Sequence, residues 1–220
     1  MKAVFFDLDG TLLDTLPDIR NAINYALRAY DGEEASYNDV RRYVGRGLYK
    51  ALSSAAIEKH PKGLDENEFG LMFALMKNYY MRHPVVETKP YPGIPELLSV
   101  LKSKGIKLGI VSNKADQIVK EIISELLPDT FDFISGEREG YPLKPDPKLL
   151  LEGIASVGAS PSETVYVGDS EVDAETGKRA GMKTLIVSYG FRNKEELEGN
   201  GIEISADSAE ELHEKLESMI

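Results

Sequence analysis

The sequence contains no cysteine and no tryptophan, and only three histidines, His60, His83 and His213. Without thiols there is no disulfide, zinc–thiolate site, iron–sulfur cluster or cysteine nucleophile. Three histidines far apart in the chain do not make a histidine-rich metal site and are expected at the surface. Positive charge is also short: 26 Lys and Arg stand against 37 Asp and Glu, a formal net charge of −11. That field repels nucleic acid and anionic membrane surfaces, so neither is expected as a partner. No apolar run approaches the ~20 residues of a membrane span. The opening Met1-Lys2-Ala3-Val4-Phe5-Phe6 stops at Asp7. This falls short of the about 7–15 apolar residues of a secretory signal, so a cytoplasmic protein is expected.

What is present suits a soluble globular protein. The 220 residues leave room for one domain with a large insertion or for two small domains. Val4-Phe5-Phe6 is an apolar run bounded by Asp and Gly, the pattern of a strand buried on both faces. Similar runs recur at 106–111, 164–167 and 184–187, with a weaker one at 131–134. Helical spacing lies between them. Pro95 stands where a helix can begin, and Leu97, Leu98 and Leu101 follow before Gly105. Ile118, Ile122, Ile123 and Leu126 form a second stripe, and Leu149, Leu150 and Ile154 a third. Strands alternating with helices predict an α/β fold, a doubly wound, Rossmann-like parallel sheet.

The stretch 15–85 breaks that rhythm. Ile19, Ala22, Ile23, Ala26, Leu27 and Tyr30 have amphipathic helical spacing, with Pro17 near the first turn. Val40 with Val44, then Leu48, Leu52, Ala55 and Ala56, then Phe69, Met72, Phe73 and Met76 continue it. This predicts an inserted α-helical unit at 15–85 and an α/β core of 1–14 with 86–220. The Phe and Met stripe reads as core packing. Arg46, between Gly45 and Gly47, reads as a tight turn whose guanidinium either grips an anionic group or is simply solvated.

Polar residues cluster after the apolar runs: Asp7-Leu8-Asp9-Gly10-Thr11, Ser112-Asn113-Lys114, and Gly168-Asp169-Ser170 with Asp173. An open α/β sheet places its ligand beyond the carboxyl ends of the strands, so these segments converge. Lys144 joins from the loop Tyr141-Pro142-Leu143-Lys144-Pro145. A carboxylate attacking a phosphate dianion meets a repulsion of about 4 kcal/mol per unit pair at 4 Å and an effective dielectric of 20. A cation must offset it, and a donor set of Asp oxygens selects a hard ion, Mg²⁺.

Asp7-Leu8-Asp9-Gly10-Thr11 resembles the DxDGT signature of the haloacid dehalogenase-like phosphohydrolases, and Ser112, Lys144 and Gly168-Asp169…Asp173 resemble its other motifs in order. The helical insert falls where that family carries a cap. The resemblance implies Asp7 as nucleophile through an aspartyl-phosphate, and Asp9 as acid to the leaving oxygen and then base for water. It implies Mg²⁺ held by Asp7, Asp169 and the Asp9 carbonyl, with Asp173 supporting the metal or Lys144. Ser112, Asn113 and Lys144 would bind the phosphoryl oxygens, and Arg46 would bear on substrate choice.

A finer resemblance to phosphoglycolate phosphatases rests on Asp14-Thr15-Leu16-Pro17-Asp18-Ile19, Val44-Gly45-Arg46-Gly47-Leu48, Tyr91-Pro92-Gly93 and Tyr189-Gly190-Phe191. It implies a small anionic phosphate ester, 2-phosphoglycolate, as substrate. A sugar phosphomutase of the beta-phosphoglucomutase kind, an inorganic pyrophosphatase and a nucleotidase share such a core. The mutase is disfavoured because Pro17-Asp18-Ile19-Arg20-Asn21 lacks the His that mutases carry there. A phosphoryl-accepting receiver module is the non-enzyme alternative, but a receiver needs no helical insert.

Overall fold

A computed structural model describes residues 1–60 and 62–220. They form two compact units, one of Met1–Asp14 with Lys89–Ile220 and one of Thr15–Thr88.

The first unit is built on a five-stranded parallel sheet of β1 (Ala3–Phe6), β4 (Lys107–Ala115), β5 (Phe133–Glu137), β6 (Thr164–Gly168) and β7 (Lys183–Ile186). Their order across the sheet is β5-β4-β1-β6-β7. The central strand β1 is wholly buried, and Phe5 stands opposite Gly109 on one side and Tyr166 on the other. The chain winds outward from β1 to β4 and β5, then returns across the sheet to β6 and β7. Its parallel crossovers carry α5 (Ile94–Ser103), α6 (Asp116–Leu126), α7 (Lys148–Ser156) and α8 (Glu171–Ala180). Right-handed crossovers running in opposite directions place their helices on opposite faces, so the sheet is doubly wound. On one face Ala3, Phe5, Val111 and Tyr166 pack against Leu149, Leu150 and Ile154 of α7. The reversal of direction falls beside β1, and ligand sites lie at such a switch point. The shorter α9 (Lys194–Gly199) and α10 (Ala209–Glu217) complete the unit.

Two details differ from the sequence reading. Strand β4 does not stop at Val111 but runs to Ala115, because after a register shift it pairs again with β5 through Ala115 and Glu137. Ser112, Asn113 and Lys114 therefore lie within the strand's irregular end. A second, antiparallel pair joins β2 (Leu13–Asp14) to β3 (Lys89–Pro90), too short for any apolar pattern to announce it.

The second unit consists of α1 (Leu16–Ala29), α2 (Tyr37–Tyr43), α3 (Leu48–Lys59) and α4 (Glu66–Arg82). Pro17 sits in the first turn of α1, and Ile19, Ala22, Ile23, Ala26 and Leu27 form its buried stripe. Capping boxes start α2, from Ser36 and Asp39, and α4, from Asp65 and Glu68. The segment 86–88, expected with the α/β core, belongs to this unit instead. The buried Asp18 carboxylate explains this: it accepts the backbone N–H groups of Val86, Glu87 and Thr88 and the Thr88 hydroxyl. The Phe and Met stripe of α4 also divides. Met72 and Met76 are fully buried, whereas Phe69 and Phe73 are half-buried and meet the exposed Tyr49 edge-on at 5.2 and 5.1 Å. Among the described residues, no helix is long and apolar enough to cross a membrane.

Candidate active site

The carboxyl end of β1 leads directly into Asp7, whose N–H continues the ladder by donating to the Val167 carbonyl at 2.9 Å. The chain must then turn sharply at Gly10, which has φ +85°. A Cβ there would lie 2.3 Å from Asp169 Oδ2, so Gly10 is also what lets the first loop lie against Asp169. Asp169 in turn accepts the Phe191 N–H at 2.7 Å and the Thr11 hydroxyl at 3.3 Å. The loops after β1, β6 and β7 are thus locked together around one carboxylate.

Lys144 is the hub of the site. Its ammonium lies 2.8 Å from Asp7 Oδ1 and 2.8 Å from Asp173 Oδ1, with the Tyr166 hydroxyl at 3.0 Å. Asp173 is completely buried and also accepts hydrogen bonds from Tyr166 and from Ser170. Asn113 reaches across from β4, donating to the Lys144 carbonyl at 3.1 Å and accepting the Lys144 N–H at 2.8 Å. Its side chain is therefore committed to the Lys144 backbone. Ser112 is buried at the end of β4, where its hydroxyl accepts the Lys114 N–H at 3.2 Å. Asp9 is ion-paired with the buried Lys114, Nζ to Oδ1 2.5 Å. Arg46 lies exposed in the helical unit, in the turn between α2 and α3, with Gly45 and Gly47 both at positive φ.

Charge is crowded here. Burial pushes the Asp7 carboxyl up to about 7; Lys144 opposes that shift, while Asp173 and Asp9 add to it. Burial likewise holds Asp169 well above the usual carboxylate range, reinforced by Asp173 and Asp7. Asp173 behaves differently. Burial works to raise it, but the Lys144 charge and the hydrogen bonds from Lys144, Ser170 and Tyr166 prevail and hold it low. Lys144 itself stays protonated: burial disfavours the ammonium, but Asp173 and Asp7 outweigh that and raise its pKa.

Residues 4–187 match the model of the haloacid dehalogenase-like hydrolases, across both units. The chain belongs to that family. A phosphoglycolate phosphatase of Aquifex aeolicus is 39% identical over 192 residues, covering 87% of this chain and 86% of its own. The N-acetylmuramic acid 6-phosphate phosphatase of Pseudomonas aeruginosa is 34% identical, covering 99% and 95%. A crystal structure from Lactobacillus delbrueckii subsp. bulgaricus, provisionally assigned as a phosphoglycolate phosphatase, superposes with a TM-score of 0.89 at 33% identity, with 98% of each chain covered. This haloacid dehalogenase-like hydrolase is accordingly an enzyme that hydrolyses phosphoric monoesters.

The haloacid dehalogenase-like site also fits a metal ion. Asp7, Asp169 and Asp173 each place a carboxylate oxygen within 4.8 Å of the others. Asp7 Oδ1 is buried and ion-paired with the Lys144 ammonium, which is shared with Asp173. One shared ammonium among three buried carboxylates leaves negative charge for a cation to offset, and an oxygen donor set suits a hard one. The oxygens of Asp173 are already engaged by Lys144, Tyr166 and Ser170, which leaves Asp7 and Asp169 the better placed to ligate.

Sequence reasoning passed over Tyr166 and gave Lys114 no role. Tyr166 sits inside an apolar run where an aromatic reads as core, and its hydroxyl reaches the site only because β6 lies next to β1. Lys114 follows directly on Ser112-Asn113. A lysine at the end of an apolar strand was the available signal, since such a charge needs a partner.

Proposed function

We propose that this enzyme is a Mg²⁺-dependent phosphatase of 2-phosphoglycolate that works through an aspartyl-phosphate. The observation that carries the reading is the Asp7 carboxylate, buried at the switch point, beside the Lys144 ammonium and facing Asp169. The finer similarity to phosphoglycolate phosphatases at 39% identity supports the substrate.

Asp7 attacks phosphorus and the ester P–O bond breaks, while the Asp9 carboxyl gives its proton to the departing glycolate oxygen. A water then attacks the phosphoryl group as Asp9 takes its proton; the aspartyl–phosphorus bond breaks and the Asp7 carboxylate is restored. Lys144, Ser112 and the Asn113 N–H hold the phosphoryl oxygens, and Asp173 fixes Lys144. Mg²⁺ at Asp7, Asp169 and the Asp9 carbonyl would supply the positive charge that offsets repulsion between nucleophile and phosphate. Arg46, from the helical unit, is our candidate for a residue bearing on substrate choice; Arg46→Ala should lower turnover of 2-phosphoglycolate more than that of p-nitrophenyl phosphate.

The test is phosphate release with Mg²⁺ from a panel of 2-phosphoglycolate, N-acetylmuramic acid 6-phosphate, pyrophosphate, a nucleoside monophosphate and glucose 1-phosphate. The 2-phosphoglycolate reading expects the highest kcat/KM for that ester. The N-acetylmuramic acid 6-phosphate arm is included because the relative that acts on that ester matches 99% of this chain. Multiple turnovers on any ester rule out a receiver module, and a preference for another panel member removes 2-phosphoglycolate as substrate.

A further inference from the structure

Tyr166 is fully buried, and its ring packs in one apolar cluster with Ala3, Phe5 and Val111 and with Leu149, Leu150 and Ile154 of α7. Packing there asks only for an aromatic ring, which phenylalanine would supply. A hydroxyl brought into such surroundings is unfavourable unless it is hydrogen-bonded. Tyr166 commits its hydroxyl to two charged groups of the site. The O–H donates to Asp173 Oδ1 at 2.8 Å, and the oxygen accepts from the Lys144 ammonium at 3.0 Å. Neither step of the proposed chemistry uses it.

These contacts close a ring. Lys144 also donates to Asp173 Oδ1, at 2.8 Å, so the ammonium meets two oxygens that are themselves hydrogen-bonded to each other. Asp173 alone would hold the end of a flexible four-carbon stem by one oxygen, about which the ammonium could turn. A second, uncharged oxygen fixes that rotation without adding negative charge where Asp7, Asp169 and Asp173 already crowd together. Because the Tyr166 proton is given to Asp173, the hydroxyl presents lone pairs to the ammonium. Ser170 donates to the other oxygen of Asp173, so that carboxylate is itself held against turning. The aim of the ammonium toward Asp7, 2.8 Å away, then follows from two anchors instead of one.

We propose that Tyr166 is a positioning residue: its hydroxyl, bridging Asp173 and Lys144, fixes the direction in which the Lys144 ammonium faces Asp7 and the phosphoryl group that Asp7 receives. This rests on the reading of Lys144 as a group that holds the phosphoryl oxygens. Attraction of a phosphate dianion in the bound substrate needs only a positive charge nearby. Stabilising the charge that develops in the transition state needs a donor already aimed at it. Loss of the hydroxyl therefore falls on kcat.

The experiment measures phosphate release with Mg²⁺ from whichever ester of the panel the wild type turns over fastest. Tyr166→Phe keeps the ring and removes the oxygen. Its kcat should fall about ten- to 100-fold, the upper figure being that of a 1 Å misplacement, while KM stays within about threefold of wild type. A lowered melting temperature with kcat within about twofold of wild type would overturn the inference, leaving the hydroxyl a satisfied core group and nothing more. A loss carried by KM alone would overturn it as well. Lys144→Arg keeps the charge but presents a planar fork in place of a compact ammonium, so it should lose at least about tenfold in kcat. Lys144→Arg with kcat within about threefold of wild type would overturn the inference even if Tyr166→Phe failed to fold. Lys144→Met separates the two readings. Turnover kept in Lys144→Met would take down the role of Lys144, and this inference with it. Turnover lost in Lys144→Met but kept in Tyr166→Phe would refute the inference alone.

Discussion

Replacing Asn113 by alanine should separate the placing of Lys144 from the binding of phosphate. The Asn113 amide makes two hydrogen bonds to the Lys144 backbone, at 3.1 and 2.8 Å, and both residues are only 6% exposed. Truncation strands a buried N–H and a buried C=O, each costing about 1–3 kcal/mol when left unsatisfied, or roughly 2–6 kcal/mol together. At roughly 2–4 °C per kcal/mol for a protein of this size, the melting temperature should fall by at least about 4 °C. The substitution leaves the backbone N–H of residue 113 in place, so the phosphoryl contact proposed for it is not removed. What changes is the seat of the ammonium that bridges Asp7 and Asp173. A displacement of about 1 Å at a reacting centre costs on the order of 10²-fold, and kcat should drop accordingly with p-nitrophenyl phosphate as well as with the natural ester. Asn113→Asp keeps the acceptor but not the donor and should melt between the two. Circular dichroism melts and steady-state phosphate release measure both quantities. Melting within 1 °C of wild type together with kcat within twofold would refute the clamp.

Chelation with EDTA should abolish turnover, Mg²⁺ should restore it and Ca²⁺ should restore it poorly, because Ca²⁺ takes more ligands at longer bonds and misplaces Asp7. Full activity in EDTA would remove the metal from the reaction. Asp9→Asn should leave the fold intact, as a thermal melt would show, while lowering kcat by about 10²–10⁴-fold; a loss below tenfold would dismiss Asp9 as acid and base. In the helical unit, hydrogen bonds from Lys59, then from Ser36 and Arg42, hold the Asp39 carboxyl below the usual range. A depressed carboxylate contributes stability above its unfolded pKa and loses it as pH falls through the folded one. Asp39→Ala should therefore cost about 0.5–2 kcal/mol at pH 7, and the gap from wild type should narrow below about pH 4; a gap unchanged down to pH 3 would contradict this.

Much of this architecture can be read from the chain before any coordinates. Val4-Phe5-Phe6 announces a strand buried on both faces because parallel sheets are covered on both sides. The polar residues after it announce a site because strand ends are where such folds bind ligands. What cannot be read is placement that depends on distant partners. That Asn113 spends its amide on Lys144 follows from a contact across 31 residues of sequence. Tyr166 looks like core by composition, and only its hydroxyl, aimed at Asp173 and Lys144, distinguishes it. The assignment of 86–88 turned on Asp18, which reads from sequence as an ordinary first-turn acid of α1. Its hydrogen bonds from four donors in that returning segment span some 70 residues. Short-range patterns report burial and period; they do not report which polar group meets which.

The pairing of Leu13 with Pro90 and of Asp14 with Lys89 brings the two ends of the helical segment side by side. Directly opposed residues on antiparallel strands have Cα atoms only about 4.5–5.5 Å apart. To the rest of the chain, a 74-residue insertion spanning Thr15–Thr88 therefore looks like a tight hairpin loop. Any other insert with closely spaced ends could be spliced in at the same two positions without disturbing the register of β1 against β4 and β6. The segment bearing Arg46 is thus one continuous stretch entered and left at adjacent positions, while Asp7, Asp9, Ser112, Lys144, Asp169 and Asp173 all lie outside it.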